Sequence, residues 1–267
     1  MNHGVLRTAS VRLRWFYSLL GLATIYHLIN VGAAYRGSRV ATADRTLTWV
    51  LLVLGTVLAL VPSQQWAMVA LAIVIPITIW RDAPVVGNHW IVMGLLSLAV
   101  LGAVGATAGT RSGGTTRRVE ELLIPMGRGV FFVFYGFSAL AKVNRAFLTP
   151  AVSCGTYFTD ETFRSLGWNP STTSGGTAAR LVPIVVILIE FGVFGLLLAR
   201  RTRWFGVVLA VGFHGFIAWD GYHSFHDFSA TVYALLVLFV PDDFLARCRS
   251  VMDRDCRYRI MARAFAV

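Results

Sequence analysis

Apolar stretches close to membrane length recur along the whole chain, and no other feature restricts its folding as strongly. They lie at about Trp15–Ala34, Leu47–Val61, Trp66–Trp80, His89–Thr107, Gly129–Ala141, Leu181–Ala199, Trp204–Trp219 and Phe228–Val240. About 20 apolar residues in a helix cross the hydrocarbon core of a bilayer, and a helix satisfies its own backbone hydrogen bonds there. Several stretches are shorter, Leu47–Val61 being ended early by Pro62; such helices extend into their flanks, tilt, or thin the bilayer locally. The predicted fold class is all-α, a polytopic membrane helix bundle of about eight transmembrane helices. Composition agrees. Of 267 residues, 56% are hydrophobic and 14% charged, where soluble domains carry about 45–50% and about 25%. That balance argues against an ordinary cytosolic enzyme, a disordered chain or a nucleic-acid binder. The net charge of +11 reads as membrane topology rather than affinity for nucleic acid.

The spans define a transmembrane domain over residues 1–241, followed by a basic tail over 242–267. Residues 108–118 read as a flexible basic loop, and Val119–Met126 as a short amphipathic piece at the interface. The connection Asn144–Arg180 ends in a Ser/Thr/Gly run, so structure is expected only in its first half. With the N-terminus inside, most arginines fall in inner segments, including Arg7, Arg12 and Arg14, the short loop ARRTRW, and the tail. Both termini are therefore expected in the cytoplasm, with Arg128 at an inner boundary. The N-terminal run is too long for a signal peptide and has no clear cleavage site. Cys154, Cys248 and Cys256 have neither a disulfide framework nor zinc spacing.

Ionisable groups in or beside spans cost several kcal/mol, which makes each a functional candidate. They are His27, Asp82, His89, Lys142, Glu190, His214, Asp220, His223, His226 and Asp227. Most of them fall towards the outer, extracytoplasmic mouth. Lys142 stands out as the one lysine in a chain that otherwise uses arginine. Arginine suffices for topology but cannot lose its proton, whereas a sheltered lysine can become a base or nucleophile. Lys142 is thus either a snorkelling end residue or a base. His89, after Asn88, is either an interfacial ring or an imidazole that polarises an oxygen. Glu190, mid-span, must be protonated or paired, with His214 or an arginine as partner. His223-x-x-His226-Asp227 has no third ligand fixed by spacing, so no metal is expected; Asp227 and Ser229 are candidate helix caps.

Two fragments carry a family resemblance: Val86–Leu96 (VGNHWIVMGLL) and Phe132–Leu148 (FVFYGFSALAKVNRAFL). They are similar to the membrane domain of vitamin K-dependent gamma-carboxylase and its bacterial relatives, the HTTM-domain proteins. Gly87-Asn88-His89 stands where the family has Asn-Asn-His, and Lys142-Val143-Asn144 follows the aromatic span containing Tyr135. Phe213-His214 and Phe228-Ser229 add a weaker likeness. The resemblance implies a lysine base, Lys142, that deprotonates vitamin K hydroquinone. Reaction of the hydroquinone with oxygen then yields a strong base that removes a γ-proton from a substrate glutamate. Carbon dioxide traps the carbanion and vitamin K epoxide leaves. By the same resemblance, His89 is catalytic beside Lys142. Asn88 lines the quinone and substrate site, to which Tyr135, Glu190 and His214 are assigned as candidates.

The implied cofactor is reduced vitamin K or menaquinone. The implied partners are membrane lipid, a lipid quinone and a peptide or small carboxylate substrate, in a bacterial plasma membrane. The chain departs from the family at Gly87, at Ala141 (often a second lysine) and at Phe147 (usually Trp). Only the basic tail follows Pro241, where full carboxylases continue into a large luminal region, so peptide carboxylation is expected less than quinone chemistry. The competing reading is a non-catalytic, DoxX-like membrane subunit or assembly factor. A transporter with Glu190 and His214 in a proton path ranks behind it, because no inverted symmetry is visible.

Overall fold

The computed structural model describes residues 10–34, 45–83, 86–108, 115–168, 177–220, 225–241 and 243–248. The apolar stretches become helices: α1 (Val11–Ala34), α2 (Arg45–Leu60), α3 (Gln65–Asp82), α4 (Asn88–Thr107) and α5 (Thr115–Ala141). The outer connection forms α6 (Arg145–Leu148) and α7 (Cys154–Ser165), and the chain then returns through α8 (Thr177–Leu198), α9 (Arg203–Ala218) and α10 (His226–Leu236). A 3-10 turn, Val237–Phe239, extends α10. Among the described residues every regular element is helical.

The protein is a helical membrane protein. Gln65–Asp82, Asn88–Thr107, Arg117–Ala141 and Ala179–Leu198 are long and apolar enough to cross a bilayer. Thr46–Leu60, Arg203–Ala218 and His226–Phe239 are apolar but shorter. Many large side chains on the outside of the bundle are exposed, Phe137, Leu188 and Phe205 among them, as lipid contact requires. Exposed tryptophans mark the helix ends. Trp49, Trp80 and Trp219 lie towards one end, and Trp66 and Trp204 towards the other, the distribution of an interfacial aromatic belt.

The helices close a ring: α1 packs on α2, then α3, α4, α5, α8, α9 and α10 follow in turn, and α10 packs back on α1. Helix α10 also reaches α4 and α5, and so occupies the middle of the bundle. Its residues Thr231, Val232, Ala234, Leu235 and Leu236 are buried accordingly. Helices α1 and α2 approach each other closely through their backbones. A Cβ on Gly21 would lie 2.5 Å from the Gly55 carbonyl oxygen, and Ser18 Oγ donates to the Ala59 carbonyl at 2.8 Å. Small residues permit this backbone contact, which replaces the hydrophobic drive that lipid cannot supply.

The C-terminal end of α10 and its 3-10 turn presents carbonyls with no partner further along the helix. Arg128 donates to the Leu238 carbonyl through Nε (2.9 Å) and Nη2 (2.6 Å), and Arg12 Nη2 donates to that of Val240 at 2.8 Å. The Arg128 and Arg203 guanidinium groups also lie near the Phe239 ring. Cations therefore gather at the negative end of α10.

One expectation is overturned. Residues 115–126 are not a loop followed by a surface piece; they are the first half of the 27-residue helix α5, which runs through Pro125. The segment packs inward because Val119 and Leu123 are buried and Glu120 Oε1 accepts a hydrogen bond from Ser10 Oγ at 2.7 Å. Its polar residues had hidden it from a hydropathy reading. The connection after Asn144 carries α6 and α7 in its first half, as expected; its Ser/Thr/Gly run lies outside the described residues, and its last residues, from Thr177, already belong to α8. Most of the basic tail lies outside the described residues.

Candidate functional site

The polar side chains collect into two groups towards one end of the bundle. The first is built on one face of α5, where Tyr135, Ser138 and Lys142 follow at spacings of three and four. Lys142 lies just past the end of α5, and its Nζ folds back onto the helix, donating to Ser138 Oγ at 2.7 Å and to the Ser138 carbonyl at 3.3 Å. The same Nζ is 3.0 Å from Glu190 Oε2, with side-chain exposures of 24% and 8%. The approach is an ion contact rather than a well-directed hydrogen bond. Asn144 explains the local turn: its Oδ1 accepts from the Phe147 N–H at 2.9 Å as the cap of α6, and its Nδ2 donates to the Ala141 carbonyl at 2.6 Å.

Tyr135, stacked on Phe131 at 4.7 Å, is fully buried and joins α5 to α9. Its hydroxyl is 2.9 Å from His214 Nε2. The His214 carbonyl accepts from Ser229 Oγ at 2.9 Å. Ser229 is thus a link between α10 and α9 rather than the helix cap it resembled. His214 Nδ1 is buried with no hydrogen-bond partner. Glu190 and Lys142 are within electrostatic reach of Tyr135 and His214 respectively, so the four side chains form one neighbourhood.

The second group joins α1, α4 and α10. His27 Nδ1 and His89 Nε2 are 2.9 Å apart. His89 Nε2 is 2.9 Å from Asp227 Oδ2, and His27 Nδ1 is 3.5 Å from the same oxygen. The other Asp227 oxygen, Oδ1, accepts from the Phe228 N–H at 2.7 Å; Asp227 lies within the first turn of α10 and is not its N-cap, a position held by Phe225. The His27 ring stacks on Trp90 at 3.9 Å and 12°. The His89 ring lies over Gly87, where a Cβ would come within 2.7 Å of its Cε1.

The sequence candidates thus divide. Lys142 meets Glu190, and Tyr135 meets His214. The expected partner of Glu190 was His214 or an arginine; its ion partner is Lys142. The polar partners of His89 are His27 and Asp227, and Asn88 is exposed at the first residue of α4. His226 is exposed and stacks on Tyr26 at 6.2 Å, while His223 lies outside the described residues. His27 and Asp227 had not been assigned to a site. The signal available was their position, a titratable group near the same end of each of two apolar helices.

Comparison with family models, with curated proteins and with solved structures finds no match.

Proposed function

We propose that the chain is a membrane-embedded enzyme that takes a proton from a lipid-soluble hydroquinone, with Lys142 as the base. The observation that carries this reading is the amine of the one lysine turned back into the bundle, against Ser138 and a buried carboxylate. The Lys142–Glu190 pair can hold its shared proton on either partner. With the proton on Glu190, Nζ has a lone pair and can accept the substrate's hydroxyl proton; the carboxylate and Ser138 then hold the ammonium that forms. Tyr135 can donate to His214 Nε2, which leaves Nδ1–H as a buried donor needing an acceptor. A quinol oxygen meets that need, and this supports reduced vitamin K or menaquinone as substrate. The family resemblance extends the reading to oxidation of the hydroquinone by oxygen to its epoxide, with one oxygen atom leaving as water. It also extends to carboxylation of a glutamate or small carboxylate.

The eight-span arrangement, with both termini cytoplasmic and the site facing out, belongs to the same proposal. The arginines gathered around the far end of α10 support it.

The test is the full chain in lipid nanodiscs with reduced menaquinone or vitamin K and oxygen, with epoxide read by mass spectrometry. Wild type forms epoxide, while Lys142→Ala and Lys142→Arg each lose about 10²–10⁴-fold in rate, the usual contribution of a general base. Full activity in Lys142→Arg refutes the assignment. A second reading, a non-catalytic membrane subunit, is favoured by the way the same ion pair ties α5 to α8. It predicts no epoxide from any form of the protein.

A further inference from the structure

We infer that His27, His89 and Asp227 form a binding site for a divalent first-row transition metal ion, separate from the Lys142 neighbourhood. Two ring nitrogens and one carboxylate oxygen, brought from three helices, converge on a single point. Their separations of 2.9, 2.9 and 3.5 Å bracket the roughly 3.3 Å between donors in a tetrahedral zinc shell. An ion about 2.0–2.1 Å from each would stand about 1 Å out of the triangle they form, which leaves its opposite side open to water or a ligand.

Protons alone account poorly for this triangle. Both short edges meet at His89 Nε2. If that nitrogen carries hydrogen, the hydrogen must be divided between Asp227 and His27, and an N–H aims along only one direction. If it carries none, its lone pair faces a carboxylate oxygen at 2.9 Å. A cation satisfies all three donors at once. The donor set, two imidazoles and one carboxylate, is that of open zinc and non-haem iron sites.

The surroundings fix the donors as metal ligands are fixed. Trp90 clamps the His27 ring. The Phe228 N–H holds one Asp227 oxygen and leaves the other for the ion. Gly87 leaves room for the His89 ring to lie where it does, since a Cβ there would collide with Cε1 and crowd Nδ1 at 3.1 Å. The three side chains are 11%, 18% and 9% exposed, sheltered yet reachable from the end of the bundle.

The experiment uses the full chain in detergent, stripped with chelator and titrated with Zn²⁺ and with Co²⁺, whose visible absorption reports its coordination. Wild type takes up one equivalent, shows ligand-field bands, and melts at a higher temperature with Zn²⁺. His27→Ala and His89→Ala abolish uptake, Gly87→Ala weakens it about 10–100-fold, and His226→Ala leaves it unchanged. Absence of stoichiometric uptake by wild type overturns the site. So does uptake retained by His89→Ala, or uptake lost in His226→Ala. Should the alanine variants not fold, the wild-type Co²⁺ spectrum and melting shift still decide. Because Lys142 takes no part, this result and the epoxide assay can fail independently.

Discussion

Breaking the Lys142–Glu190 pair from its two sides should cost unequal amounts. At 3.0 Å and an effective dielectric constant near 20, the gross attraction is about 5–6 kcal/mol, much of it offset by desolvation. What a single substitution exposes is the charge left behind. In Glu190→Gln that charge is the Lys142 ammonium, 24% exposed and still bonded to Ser138 Oγ and the Ser138 carbonyl. Water and these acceptors recover most of its solvation, so the expected cost is about 1–2 kcal/mol. In Lys142→Met the stranded group is a carboxylate only 8% exposed, with no cation in contact. The expected cost is about 3–5 kcal/mol, the usual range for orphaning a buried charge. Replacing both, as Lys142→Met with Glu190→Leu, removes the unpaired charge and should return stability to within about 1 kcal/mol of wild type. The assay is equilibrium unfolding of the purified protein in mild detergent titrated with a denaturing detergent, with the single and double variants compared to wild type. If Glu190→Gln costs as much as Lys142→Met, or the double variant is worse than both, the pair is not the asymmetric buried contact described here.

Two further outcomes test the bundle. Gly21→Ala should destabilise by about 1–3 kcal/mol through overpacking, since its Cβ would meet the Gly55 carbonyl oxygen at 2.5 Å and the Ala59 nitrogen at 2.8 Å. Gly105→Ala, with nothing within 4 Å, should stabilise by about 0.5–1 kcal/mol; thermal melts in detergent distinguish the two. Arg128→Ala leaves the Leu238 carbonyl without its donor. It should cost about 1–3 kcal/mol and speed amide hydrogen exchange at the C-terminal end of α10 more than at its start.

Hydropathy located most helices to within a few residues. Trp204–Trp219 became Arg203–Ala218, and Leu181–Ala199 became Thr177–Leu198. It failed where polarity and burial part company, as in the first half of α5, where Arg117, Arg118, Glu120 and Glu121 share a helix with buried Val119 and Leu123. Lys142 could be singled out because it is chemically unlike every other cation in the chain. Its partner could not be, since Glu190 comes from another helix and nothing in the spacing encodes which helices adjoin. The same holds for His27 and His89, 62 residues apart, and for Tyr135 and His214, 79 apart. Asp227 was legible as a helix-start residue, but only one of its two oxygens serves that end.

The helices are unequal in length. Helices α2 and α9 have 16 residues each and stand in the ring on either side of the pair formed by α1 and α10, while α4, α5 and α8 have 20, 27 and 22. At 1.5 Å per residue the 16-residue members reach about 24 Å, short of the roughly 30 Å of hydrocarbon. Acyl chains beside α2 and α9 must pinch inward to match them, so the bilayer is thinner at these two positions than beside the longer helices.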